Sequence, residues 1–121
     1  MAAKLIMIVE DSQTDMKIAE SVCSDNGYRT IKVTEGDKVV SAAAEKKPDL
    51  ILLDVILPNK NGFQVCRQLK SDEATKDIKV IIVSSKDQAS DKFWGMKQGA
   101  DAYITKPYEE GDLLAAIEKL I

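Results

Sequence analysis

The chain predicts a doubly wound α/β domain, a five-stranded parallel sheet with helices on both faces, and three observations predict it. Short runs of Val, Ile and Leu recur without alternating with polar residues, which is how strands buried on both faces of a parallel sheet read. Between them lie segments of helical periodicity punctuated by capping residues, Gly and Pro, so that strand and helix alternate five times. Four of the runs end on, or just before, a reactive group: Leu5–Val9 into Glu10-Asp11, Leu50–Leu53 into Asp54, Val80–Val83 into Ser84, and Ala102–Thr105 into Lys106-Pro107. Open parallel sheets bind their ligands beyond the carboxyl ends of the strands, so these groups point to one shared site.

The elements follow in order. After strand one, Asp11-Ser12 or Thr14 can cap a helix whose apolar face runs Met16, Ala19 and Cys23, widened by Ile18 and Val22, and Asn26-Gly27 closes it. Strand two is Arg29–Val33. Gly36-Asp37 opens a second helix through Val39, Val40, Ala43 and Ala44, which Lys46-Lys47-Pro48 stops by placing cations at the negative helix end and a residue that cannot continue it. Strand three, Leu50–Asp54, is the most apolar. The loop of Pro58, Asn59, Asn61 and Gly62 leads into a helix through Phe63, Val65, Cys66 and Leu69, and Ser71–Asp77 reads as a solvated helix end or loop. Strand four is Lys79–Ser84. A helix from about Ser90 carries Phe93, Trp94 and Met96, with Gly99 at its C′ position. Neighbouring helical residues point about 100° apart, so one aromatic can enter the core while the other stays near the surface; both can also pack against the sheet. Strand five is Ala102–Thr105, and the last helix buries Leu113, Ile117, Leu120 and Leu114.

Composition narrows the function. With 121 residues and 45% apolar content the chain is expected to form one domain, residues 1–121, with no output domain and no linker. Its net charge of -3 disfavours nucleic acid as a partner, because nucleic-acid modules concentrate basic charge on one face. The longest apolar runs fall far short of the roughly 20 residues that span a bilayer, and the N-terminus lacks a signal-peptide pattern. A cytoplasmic protein with no membrane partner is therefore expected. Cys23 and Cys66 form no CxxC pair and read as small buried hydrophobes, with a regulatory disulfide as the alternative. Histidine is absent, so Ser-His-Asp or Cys-His catalysis, a histidine zinc site and a phosphohistidine are all excluded in this chain. Histidine chemistry has to come from a partner.

Glu10, Asp11 and Asp54 repel one another when gathered, and a hard divalent cation with oxygen ligands relieves that repulsion. Mg²⁺ suits the set, since it accepts one or two carboxylates with waters and a phosphate oxygen. Asp54 is the candidate nucleophile, able to attack phosphorus and carry the group as an acyl phosphate. Lys106 offers a mobile charge, and Ser84 a hydroxyl, to the phosphoryl oxygens. A cis Lys106-Pro107 bond would turn the lysine back over the crevice, although trans is the usual state of X-Pro bonds.

Glu10-Asp11 after strand one, Asp54-Val55-Ile56-Leu57-Pro58 with Gly62 following, Ser84 ending strand four, and Tyr103 with Lys106-Pro107 together resemble the receiver domain of two-component response regulators. The resemblance covers the chain in order. It implies a flavodoxin-like sheet of strand order 2-1-3-4-5. It also implies phosphotransfer from a histidine kinase to Asp54, with Mg²⁺ held by Asp11, Asp54 and the backbone carbonyl of Ile56, and Glu10 acting through water. Ser84 and Lys106 would bind the phosphoryl group, and Tyr103 would change rotamer as Ser84 moves. The readout face would be the fourth helix, fifth strand and fifth helix, on a monomer or a weak phosphorylation-dependent dimer. Ile56 and Lys86 lie where the family's side chains gate the hydrolytic water, and Ile56 is expected to shield the acyl phosphate. The segment Asp91–Pro107 resembles stand-alone, chemotaxis-like receivers that control type IV pilus motility. The chain would thus be a phosphoacceptor regulator rather than an enzyme, catalysing at most its own phosphorylation and dephosphorylation.

Three other functions match parts of this pattern. An aspartyl-phosphate phosphatase of the haloacid dehalogenase type would carry a second acid two residues after the nucleophile, where this chain has Ile56. A pseudo-receiver would bind partners without phosphorylation. A nucleotide-binding doubly wound domain would need a GxxxxGK or GxGxxG loop, and neither is present.

Overall fold

A computed structural model describes residues 3–121. Its elements run β1 (Leu5–Val9), α1 (Gln13–Asp25), β2 (Arg29–Val33), a 3-10 turn (Gly36–Lys38), α2 (Val39–Lys46), β3 (Leu50–Leu53), α3 (Gly62–Ser71), β4 (Lys79–Ser84), α4 (Ala89–Lys97), β5 (Ala102–Thr105) and α5 (Glu110–Leu120). The five strands are parallel in the order β2-β1-β3-β4-β5.

Unbroken apolar strands have a direct consequence for the core. Met7 and Val9 of β1, Ile51 and Leu53 of β3, and Val80 and Ile82 of β4 face one side, against Val39 and Ala43 of α2 and Val65, Cys66 and Leu69 of α3. The intervening Ile6, Ile8, Leu50, Leu52, Ile81 and Val83 face the other side, against Met16, Ala19, Val22 and Cys23 of α1 and Leu113 and Ile117 of α5. Each strand residue points to the opposite face from its neighbour, so a strand covered on both faces has no position for a polar residue until it leaves the sheet. That is why the polar groups fall at the strand ends.

Several elements differ from the sequence expectation. Gly36 and Asp37 do not begin a continuous helix; they form a separate 3-10 turn before α2. The Gly36 amide donates to the Pro58 carbonyl at 3.1 Å, and a Cβ there would lie 2.0 Å from the Lys60 oxygen, so the crossing β3–α3 loop sets that backbone. Strand three ends at Leu53 rather than Asp54. The Ser71–Asp77 stretch is mostly exposed, yet Thr75 is buried and its hydroxyl donates to the Leu69 carbonyl at 2.7 Å. Ile18 lies on the exposed side of α1 and adds nothing to the core, while Leu114 and Leu120 are only half-buried.

The largest departure is in α4. Phe93 is 67% and Trp94 50% exposed, and Met96 is also exposed. The reason is Gly95, whose missing side chain lets the helix backbone rest on the sheet: a Cβ there would stand 3.0 Å from both Ile82 and the Tyr103 ring. With Gly95 facing inward, residues one step away are turned about 100° to either side and Phe93 points nearly outward. Neither aromatic enters the core. Gly99, at φ 102°, follows the Gln98 cap as the C′ residue.

Cys23 and Cys66 belong to the clusters on opposite faces of the sheet, so no disulfide joins them. Burial pushes the Cys23 thiol up to about 12, helped by the nearby Glu20 charge, and the Cys66 thiol up to about 11.

Candidate functional site

The carboxyl ends of β1, β3, β4 and β5 bring the expected residues to one edge. Glu10 leaves β1 with its amide bonded to the Val33 carbonyl, and the Asp54 amide is still held by Val9 at 3.1 Å. Asp54 therefore stands at a fixed height just beyond the sheet. One of its oxygens, Oδ1, accepts from the Val55 amide at 2.7 Å and the Ile56 amide at 3.4 Å. The other, Oδ2, faces Lys106. Gly62 supports this geometry: its amide donates to the Val55 carbonyl at 2.8 Å, and a Cβ on it would meet the Asp54 carbonyl oxygen at 2.0 Å.

Lys106 follows β5, its backbone amide bonded to the Ser84 carbonyl at 2.9 Å, and the Lys106-Pro107 bond is cis. Its ammonium donates to Glu10 Oε1, to Asp15 Oδ2 at 3.0 Å and to Asp54 Oδ2 at 3.1 Å. Burial works against this charge, but the hydrogen-bonded carboxylates of Glu10 and Asp15 and the charge of Asp54 outweigh it and hold the lysine above its usual pKa. Burial also raises the pKa of Glu10, which the Lys106 bond and the Ser12 amide partly offset.

Glu10, Asp11 and Asp54 each offer a carboxylate oxygen within 4.8 Å of the others. Glu10 and Asp54 are buried and Asp11 is exposed, so the cluster opens to solvent on the Asp11 side. With Asp15 nearby, four carboxylates gather here and three of them, Glu10, Asp15 and Asp54, share one ammonium, so the remaining negative charge suits a hard cation with oxygen ligands. The Ile56 amide contact with Asp54 brings that stretch of backbone beside the same carboxylate.

Ser84 is buried, and its hydroxyl accepts from the Lys86 amide at 3.3 Å. Tyr103 donates its hydroxyl to the Lys86 carbonyl at 2.7 Å. The backbone of Lys86 thus touches both residues, while its side chain is exposed.

Asp15 is the site residue that sequence reasoning missed. Its spacing after Ser12, the α1 cap, is that of an ordinary capping box, so it reads as part of a helix start. The available signal was one more acid a single helical turn beyond Glu10-Asp11.

The family model described as the response regulator receiver domain matches residues 6–118. Protein PilH of Pseudomonas aeruginosa is 43% identical over 116 residues, which cover 96% of this chain and 96% of PilH. Response regulator PleD of Caulobacter vibrioides is 33% identical over 115 residues, 95% of this chain but only 25% of PleD. Among solved structures, the BeF3-activated N-terminal receiver domain of Klebsiella pneumoniae RstA superposes with a TM-score of 0.90 at 26% identity over 97% of each chain. The receiver domain of the sensor histidine kinase PA1611 from Pseudomonas aeruginosa, which has a magnesium ion coordinated in its active site cleft, is alike in fold. Its TM-score is 0.91 at 24% identity over 98% of each chain.

Proposed function

The chain belongs to the response regulator receiver family and is a phosphorylation switch of two-component signalling rather than a classical enzyme, and from that premise we propose that Asp54 is its phosphoacceptor. The observation that carries this reading is the pairing of Asp54 with the Lys106 ammonium at 3.1 Å inside the Glu10, Asp11 and Asp54 cluster. That acidic triad is typical of the Mg²⁺-binding receiver site. Asp11, Asp54 and the Ile56 carbonyl would hold the ion, with Glu10 reaching it through water. Bound there, Mg²⁺ would offset the crowded carboxylates and the charge on the phosphoryl oxygens.

The family implies a cognate histidine kinase. An Asp54 carboxylate oxygen attacks the phosphorus of the kinase's phosphohistidine, the N–P bond breaks, and the imidazole leaves and takes a proton from solvent. Lys106 donates to one phosphoryl oxygen and Ser84 to another. Water later cleaves the acyl phosphate, returning Asp54 and inorganic phosphate, and Ile56 shields the group from that water. When Ser84 turns toward the phosphoryl group its bond to the Lys86 amide is given up, and Tyr103, tied to the same residue's carbonyl, is free to change rotamer.

Output passes through the α4, β5 and α5 face by protein contact. The exposed Phe93, Trp94 and Met96 support that choice, since large apolar groups left in water favour contact with another protein. The chain works in the cytoplasm as a monomer or a weak phosphorylation-dependent dimer. Its likeness to PilH across nearly the full length of both chains supports a place in a pilus motility system. No helix among the described residues is long and apolar enough to cross a membrane.

Intact mass after incubation with acetyl phosphate tests the acceptor. One phosphoryl adduct is expected with Mg²⁺, none without it, and none in Asp54→Ala. An adduct retained in Asp54→Ala would refute the assignment. A native chain that takes no adduct while binding its partners unchanged would favour a pseudo-receiver.

A further inference from the structure

Asp15 belongs neither to the strand-end pattern nor to the triad suited to a cation. By position it is the third helical residue after Ser12, and in a full capping box its carboxylate would accept from the Ser12 amide. Only half of that box is present. Ser12 Oγ accepts from the Asp15 amide at 3.2 Å, but the Ser12 amide donates to Glu10 Oε2 at 3.1 Å. Glu10 takes over the capping duty, which releases the Asp15 carboxylate to reach Lys106 at 3.0 Å.

An ammonium has three N–H donors, and in Lys106 they meet Glu10, Asp15 and Asp54. When Asp54 becomes an acyl phosphate it loses its charge, so the donor facing it is the one that passes to a phosphoryl oxygen. The other two bonds need not break. A lysine on its flexible four-carbon stem swivels when held at one point, and a second bond fixes where the third donor aims.

We propose that Asp15 is a positioning residue that, together with Glu10, anchors Lys106 at two points and aims its remaining N–H at the phosphoryl group on Asp54. The proposal rests on the receiver reading and adds to it a residue outside the metal-binding set. The Asp15 side chain is 40% exposed against 6% for Glu10, so its contribution is that of a partly solvated ion pair.

Calorimetric titration separates the possibilities, first with Mg²⁺ alone and then with beryllofluoride, a phosphoryl mimic, at saturating Mg²⁺. Asp15→Ala is expected to weaken beryllofluoride binding by about three- to fivefold, the size of one partly exposed ion pair, while Mg²⁺ affinity changes less than about twofold. Asp15→Asn, whose amide oxygen still accepts but carries no charge, is expected to recover part of the loss. Unchanged or tighter beryllofluoride binding in Asp15→Ala would overturn the anchor, as would an equal loss of Mg²⁺ affinity. Failure of the native chain to bind the mimic would overturn the phosphoacceptor reading itself, and the anchor with it.

Discussion

Lys106 and the two cysteines show opposite results of burial. Lys106 loses water but gains carboxylates, so its charge is held and its pKa is raised. Its contribution to stability is full below the ordinary lysine pKa and is lost only as pH rises through the elevated one. Cys23 and Cys66 lose water to apolar neighbours, and their thiols are pushed up to about 12 and about 11. In the unfolded chain both ionise near the ordinary thiol value, so the stability they contribute is present below that value and declines as pH rises toward the folded ones. Between about pH 9 and 11 each thiol costs up to roughly 1.4 kcal/mol per pH unit. Urea unfolding across that window is expected to show a steeper fall for the native chain than for Cys23→Ala. At pH 8 a thiol reagent is expected to leave both cysteines unmodified until urea unfolds the chain; rapid labelling of the folded chain would contradict their burial. Residue identity made these thiols legible in the sequence, because each sits at an apolar helical position. Asp15 was not legible, since only the structure shows that Glu10 has displaced it from the cap.

Among the elements, the strands were the most legible. Their positions and the gathering of Glu10, Asp54, Ser84 and Lys106 at one edge follow from apolar runs that leave no polar site in the interiors of β1, β3 and β4. Helix α4 was the least legible, because its sequence carries bulky apolar residues while its packing is done by Gly95. Periodicity weighs side-chain size and cannot see a contact made by backbone. Two substitutions measure this contrast by urea unfolding. Phe93→Ser is expected to change stability by less than about 0.5 kcal/mol, since the ring is mostly in solvent. Gly62→Ala is expected to cost about 1–3 kcal/mol, because its methyl would meet the Asp54 carbonyl oxygen. The same methyl would displace the Asp54 backbone, so, with Asp54 as the proposed phosphoacceptor, Gly62→Ala should also slow uptake of phosphate from acetyl phosphate. A large loss in Phe93→Ser, or a neutral Gly62→Ala, would mean that the packing at these two positions is misassigned.

At the scale of the whole molecule, the two-faced sheet separates two tasks. Its carboxyl edge holds the charged groups in fixed register, because each is tied to a neighbouring strand through its own backbone amide, as with Glu10 to Val33, Asp54 to Val9 and Lys106 to Ser84. Its β4–β5 end carries the exposed α4, linked to that edge through Tyr103 and Lys86. Adding a phosphoryl group would place new charge and new acceptors at one end of this frame, and Ser84 and Tyr103 are the parts proposed to respond. All of this depends on which carboxylate takes the phosphoryl group. Borohydride reduction of the chain after acetyl phosphate and Mg²⁺ treatment, followed by peptide sequencing, converts an aspartyl phosphate to homoserine and so marks its position. Homoserine is expected at position 54 and nowhere else; homoserine at position 11 or 15, or none in a chain that carries a phosphoryl adduct, would refute Asp54 as the acceptor.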